Sequence, residues 1–249
     1  MTDGASGTPP LTAPRPMGSR AAREAVVLWA LAFAAIVLTR AIGPISGYAK
    51  AVAAVAFLYL PGLVVWKRNE DYRDYGAHLR RWRSDLALGL GVSAAVLPLF
   101  VLGFFGFVEL LQNLPGPLAG MLAPYRGAPE IALRLPDRFP AHVVDQFLVV
   151  ALPEELFYRG YMQARLRDAW PGGKRFLGAQ LGATFWVTQI LFAVGHLGEF
   201  HPWRLGVFFP ALLFGWLREK SGSIVPGTIF HALSNLTVLV LEASFFGPR

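Results

Sequence analysis

The chain has 249 residues, of which 54% are hydrophobic and only 16% are charged. A soluble domain would carry about 25% charged residues, so this composition excludes an ordinary soluble protein. The absence of cysteine excludes disulfides, thiolate metal ligands and cysteine nucleophiles.

The predicted organisation is a tail followed by one membrane domain. Residues 1–24 are rich in Pro, Gly, Ser and Thr, and we expect them to form a disordered cytoplasmic tail. Residues 25–249 contain apolar runs suited to a bilayer core of about 30 Å. The predicted spans are 25–44, 48–66, 86–111, 142–166, 181–198, 204–217 and 223–245. The sequence therefore predicts an all-α polytopic membrane bundle of about seven to eight transmembrane helices.

The net charge of +7 is distributed unevenly along the chain. Lys and Arg gather before span one, between spans two and three, after span four and after span six, which is one side of a seven-span bundle. Because cytoplasmic loops are enriched in these residues, we expect the N-terminus in the cytoplasm and the 113–141 loop outside. The basic excess indicates contact with anionic lipid headgroups rather than nucleic acid. The abundance of Ala, Arg, Gly and Pro is typical of a bacterial protein, which predicts the bacterial inner membrane.

Three charges lie inside the fourth predicted span, in the stretch LPEELFYRGYMQARL at 152–166. An ionisable group near the bilayer centre costs several kcal/mol and normally faces a partner or a cavity. Glu155 and Arg159 are four residues apart with the acid first, which favours an ion pair within the helix. Glu154 points about 100° around the helix and is left without an assigned partner. Two adjacent carboxylates suit at least one of them to proton transfer.

Two later spans carry polar side chains that could meet this acidic pair. ILFAVGHLGEFH contains Phe192 and His196, and GTIFHALSNLTVL contains His231 and Asn235. A lone histidine in a span is usually a core residue, but two of them beside an asparagine and an acidic pair predict one convergent site. There a carboxylate could deprotonate water while His and Asn orient it or stabilise an oxyanion. Glu154 and the two histidines could instead hold a divalent metal such as zinc, and the sequence leaves both alternatives open.

Three motifs in order carry a family resemblance. EELFYR fits EExxxR, FAVGH fits FxxxH and HALSN fits HxxxN. Their order and placement resemble the CPBP family of intramembrane proteases, which includes type II CAAX prenyl endopeptidases and bacterial Abi proteins, over about residues 142–240. The resemblance implies an all-helical intramembrane endopeptidase. It makes Glu154 a general base paired with His196, and it places His231 and Asn235 around the oxyanion; a metal-dependent version makes both histidines ligands.

The resemblance gives Glu155 and Arg159 supporting roles, with Arg159 also able to bind a substrate carboxylate. It implies a membrane-anchored or lipid-associated protein or peptide substrate, cut near a C-terminal anchor or during bacterial peptide maturation. Two alternatives remain open. A proton-coupled transporter should show inverted repeats, which we do not detect. A non-catalytic immunity or scaffold protein of the same fold should have lost a motif residue, and none is lost.

Overall fold

A computed structural model describes residues 18–122 and 131–247, which are largely helical. The first described part contains α1 (Gly18–Ala41), α2 (Ala49–Lys67), α3 (Trp82–Asn113) and α4 (Gly116–Leu122). Short 3₁₀ turns at Gly43–Tyr48 and Tyr72–Tyr75 connect the first three. Helix α1 begins inside the predicted tail, so residues 18–24 are helical, while residues 1–17 lie outside the described residues.

The fourth predicted span is one helical run over residues 139–169, which we call the motif helix. Its α-helical parts are α5 (Phe139–Val144), α6 (Leu152–Glu155) and α7 (Gln163–Ala169). Two wider π-helical segments, Asp145–Ala151 and Leu156–Met162, separate them. Such π-helical turns are rare and occur frequently at functional sites. Here they lie on both sides of Glu154 and Glu155.

A small antiparallel hairpin follows the motif helix. Its strands are β1 (Lys174–Phe176) and β2 (Ala179–Leu181), with Arg175 opposite Gln180. The remaining helices are α8 (Ala183–Gly195), α9 (Phe208–Ser221) and α10 (Val225–Phe246). Two 3₁₀ turns, His196–Glu199 and Pro202–Val207, join α8 to α9.

Four helices of the described ranges are long and apolar enough to cross a membrane. They are Arg20–Ala41, Gly43–Lys67, Trp82–Asn113 and Val225–Phe246. They match predicted spans one, two, three and seven, and together with the motif helix they confirm the all-α membrane bundle. Helix α8, at 13 residues, is shorter than the predicted span 181–198, whereas α9 has the 14 residues of the predicted span 204–217 but begins four residues later. Each is only about 20 Å long at 1.5 Å per residue.

Aromatic side chains fill the core around the motif helix. Phe57 of α2 packs against Phe157 and Tyr158 of the motif helix, with ring centroids 4.9 and 5.4 Å away. Helix α3 packs along α10. A Cβ atom at Gly89 of α3 would lie 3.1 Å from the backbone oxygen of Pro226, so glycine permits this close approach. Helix α10 also packs directly against the Asp145–Ala151 segment of the motif helix, and each of the two helices carries predicted site residues.

Candidate active site

Glu155 and Arg159 form the ion pair that their spacing predicts. Arg159 Nη1 donates to Glu155 Oε1 at 3.0 Å, and both side chains are wholly buried. A buried ion pair is tolerated only when further hydrogen bonds satisfy its remaining polar atoms. The surroundings of the guanidinium group supply several of them.

Side chains of α8 and α9 surround the Arg159 guanidinium. Its Nη2 donates to Gln189 Oε1 at 2.9 Å. Its Cζ lies 4.1 Å from the ring centroid of Phe192 and 5.0 Å from that of Phe214, which are favourable cation–π distances. A group with no exposed surface does not meet a substrate from solvent or lipid. The structure therefore does not support Arg159 as a binder of a substrate carboxylate, and its contacts are those of a structural anchor.

His231 of α10 joins the two glutamates. Its Nδ1 lies 3.0 Å from Glu155 Oε1. Because Glu155 is held as an anion by Arg159 and can only accept, Nδ1 carries the hydrogen of this bond. The opposite nitrogen, Nε2, lies 3.8 Å from Glu154 Oε2. The imidazole also stacks on the Phe214 ring at 4.4 Å, which fixes its plane.

The two adjacent glutamates have different surroundings. The Glu155 side chain is fully buried, whereas the Glu154 side chain is 16% exposed. Within the described part of the chain, Glu154 Oε2 has no hydrogen-bond partner. Its distance of 3.8 Å to His231 Nε2 is too long for a direct hydrogen bond. Glu154 thus presents an uncommitted acceptor beside an imidazole whose orientation is fixed.

His196 and Asn235 lie at the margin of this network. His196 Nδ1 is 2.9 Å from the backbone oxygen of Phe192, and the Glu154 carboxylate interacts with the imidazole electrostatically. Asn235 Nδ2 donates to Gln146 Oε1 at 2.8 Å, so the asparagine bonds to the motif helix. The structure brings Glu154, His231 and the Glu155–Arg159 pair together, with His196 and Asn235 beside them.

Gln189 is a site residue that sequence reasoning missed. It is fully buried, and besides accepting from Arg159 it donates to the backbone oxygen of Phe185 at 3.0 Å. A Cβ atom at Gly215 of α9 would lie 2.4 Å from Gln189 Nε2, so that glycine makes room for the amide. The available signal was an amide inside the apolar stretch ATFWVTQILFAVG, since polar groups in membrane helices normally face partners.

The predicted zinc alternative requires three protein ligands, as catalytic zinc sites usually have. Across residues 18–122 and 131–247, no group of three His, Asp or Glu side chains is arranged to hold a metal ion. Glu154 Oε2 and His231 Nε2 are two suitable donors, and Glu155 fixes the other His231 nitrogen as carboxylates do behind metal-bound histidines. The described residues thus present two of the three ligands, and zinc binding stays a prediction.

Comparison with known proteins supports the motif assignment. Residues 136–237 match the family model described as type II CAAX prenyl endopeptidase Rce1-like. This range contains all three motifs, the motif helix from its start, and α10 through Asn235. No curated protein and no solved structure matches the chain. The match confirms the resemblance that the motifs predict, because an Rce1-like match over residues 136–237 is consistent with a CPBP family intramembrane protease.

Proposed function

We propose that the protein is an intramembrane endopeptidase that hydrolyses a peptide bond of a membrane-anchored substrate with water activated by Glu154. The contrast between the two adjacent carboxylates is the observation that carries this proposal. Glu155 is wholly buried and its Oε1 is bonded to Arg159 and His231, whereas the Glu154 side chain is 16% exposed. Among the described residues, the Oε2 atom of each carboxylate has no hydrogen-bond partner. When two neighbouring carboxylates lie in different environments, one can stay a fixed anion while the other accepts and releases a proton.

The proposed mechanism uses the side chains of this chain alone. Glu154 takes a proton from water as the water oxygen attacks the scissile carbonyl carbon, and it later gives that proton to the leaving amine. The protonated His231 ring donates from Nε2 to the oxyanion, while Glu155 holds Nδ1 and stabilises the imidazolium. Asn235, one turn along α10, keeps a second N–H for the same oxyanion. His196 orients the water from the Glu154 side.

We propose a bacterial inner-membrane location with the N-terminus in the cytoplasm. The asymmetry of Lys and Arg between the predicted loops supports this orientation. The substrate is a membrane-anchored or lipid-associated protein or peptide, cut near a C-terminal anchor or during maturation. The site supports that choice because it lies among helices that are apolar enough to cross a membrane, where a lipid-borne substrate is concentrated.

Cleavage by the purified full chain in liposomes tests this function. Candidate peptides with a membrane anchor and a fluorescent C-terminal reporter are incubated with wild type, His231→Ala and the control His201→Ala, with and without a chelator. His201 is an exposed imidazole stacked on Trp203 and should be dispensable. We expect cleavage by wild type and control, loss in His231→Ala, and no effect of chelation.

Loss of cleavage on chelation, with recovery when zinc is added, would establish a metal mechanism. Equal cleavage by His231→Ala would show that the site is misassigned, and an inert wild type would favour the non-catalytic scaffold.

Gly227→Ala tests how closely α10 must approach the acidic pair. Gly227 lies one turn before His231, and a Cβ atom there would be 2.7 Å from Glu155 Oε2. We expect the variant to displace Glu155 and to lower kcat by about tenfold to 100-fold, since displacements near 1 Å have costs of this order. The matched control is Gly106→Ala in α3, where the added carbon meets open space. Equal kcat values for the two variants would contradict the close contact.

A further inference from the structure

The segment between α2 and α3, residues 68–81, forms a basic cavity. The cavity has a volume of about 420 Å³ and is lined by Arg73, Ala77, His78, Leu79 and Arg80. No acidic residue is among these walls. We call it the basic cavity.

Tryptophans on both sides place the basic cavity at headgroup depth. Trp66, near the end of α2, is 73% exposed, and Trp82, at the start of α3, is 51% exposed. Both helices are long and apolar enough to cross a membrane. Exposed tryptophans at the ends of such helices lie at the membrane–water interface. Leu79, itself 70% exposed, adds an apolar group to the cavity wall.

The cations of the basic cavity are not neutralised by the protein. The acid near Arg73 is the exposed Asp71, whose Oδ2 is 3.9 Å from Arg73 Nε, and exposed pairs of this kind are weak. Arg80 forms no ion pair within the described ranges. His78 Nδ1 is buried and has no hydrogen-bond partner there. The cavity therefore offers two guanidinium groups and an imidazole to an anion.

We propose that the basic cavity binds the phosphate of an anionic phospholipid headgroup, with Arg73, His78 and Arg80 contacting the phosphate and Leu79 lying toward the acyl chains. Basic pockets beside transmembrane helices on the cytoplasmic side are suited to this ligand. The cavity at the hairpin provides a contrast of similar volume, about 440 Å³. It is lined by Glu219 as well as Arg175, so its walls carry both signs of charge.

The basic cavity is coupled to the helices that carry the candidate active site. The backbone oxygen of Gly76 accepts from Ile224 N at 3.0 Å, at the start of α10. A Cβ atom at Gly160 of the motif helix would lie 3.1 Å from the backbone oxygen of Tyr75. A headgroup that holds this segment in place therefore also stabilises the packing of α10 against the motif helix. Lipid binding should raise the thermal stability of the protein, because the ligand binds the folded state.

The test compares lipid binding by two charge-matched double variants of the full chain in mild detergent. Arg73→Gln/Arg80→Gln removes two charges from the basic cavity, and Lys174→Gln/Arg175→Gln removes two from the hairpin on the same predicted side of the membrane. Native mass spectrometry measures the binding of phosphatidylglycerol and of phosphatidylcholine, and thermal unfolding is followed with each lipid. We expect wild type and the hairpin variant to bind phosphatidylglycerol alike, and the cavity variant to bind it about tenfold more weakly with a smaller rise in Tm.

Three results would overturn the proposal. Equal binding of phosphatidylglycerol by the two double variants would remove the cavity from the interaction. Wild type binding both lipids equally would make the contact apolar rather than anionic. If inorganic phosphate, at the same concentration as phosphatidylglycerol, abolished phosphatidylglycerol binding, the cavity would be a site for free anions rather than for a lipid. Each double variant changes exposed side chains, so folding is preserved, and the single variant Arg80→Gln provides a second measurement.

Discussion

Glu154→Gln should lower kcat about 100-fold to 10,000-fold while leaving the chain folded, because general bases contribute 10²–10⁴-fold to rate. The amide has nearly the same shape as the carboxylate but cannot accept a proton from water. Glu154 is partly exposed and its Oε2 bonds to no described residue, so the substitution breaks no hydrogen bond of that atom. Single-turnover cleavage in liposomes measures the rate, and thermal unfolding measures stability.

The control for this experiment is Glu199→Gln. Glu199 is also partly exposed, but it pairs with Arg40 and Arg204 and has no part in the proposed chemistry. Its amide variant should keep most of the activity. A Glu154→Gln protein that retains even a tenth of the wild-type rate would remove Glu154 from the role of base.

Arg159→Leu should have the largest effect on stability, about 3–5 kcal/mol, because it leaves the Glu155 anion buried without its cation. Both side chains are wholly buried, so solvent does not screen the loss. Removing the acid as well should recover part of the cost. The double variant Glu155→Gln/Arg159→Leu is therefore expected to be more stable than the sum of the two single variants predicts.

Equilibrium unfolding of the four proteins in a double-mutant cycle measures this coupling. Arg83→Leu is the control, since Arg83 is exposed and lies over the Trp82 ring, and it should change stability little. Strictly additive free energies of unfolding for the two single variants would show that Arg159 and Glu155 do not depend on each other.

Helical periodicity explains which parts of the site could be predicted. The i, i+4 spacing of Glu155 and Arg159 is sufficient to predict their ion pair, because it depends on one helix only. The cost of charge in a membrane helix was enough to predict that Glu154 and His231 would face the interior. These inferences need the composition of each helix and no knowledge of how helices pack.

Partners that depend on packing between helices could not be predicted in the same way. Nothing in the sequence states that Gln189 of α8 would accept from Arg159, or that Gln146 would accept from Asn235. The length of α8 was also overestimated, because hydropathy continues past Gly195 while the backbone changes to a 3₁₀ turn at His196. Hydropathy reports burial in lipid and is insensitive to the type of turn.

The π-helical segments make the motif helix sensitive to its length more than to its composition. Each wider turn accommodates an extra residue relative to an α-helix, and one such segment, Leu156–Met162, contains Arg159. Removing one residue between Glu155 and Arg159 would move every later residue of the motif helix by one position, which is about 100° of rotation in a regular α-helix. A substitution leaves the number of residues in this stretch unchanged, whereas the deletion of a single residue does not. Over this stretch, the number of residues is itself a determinant of the site.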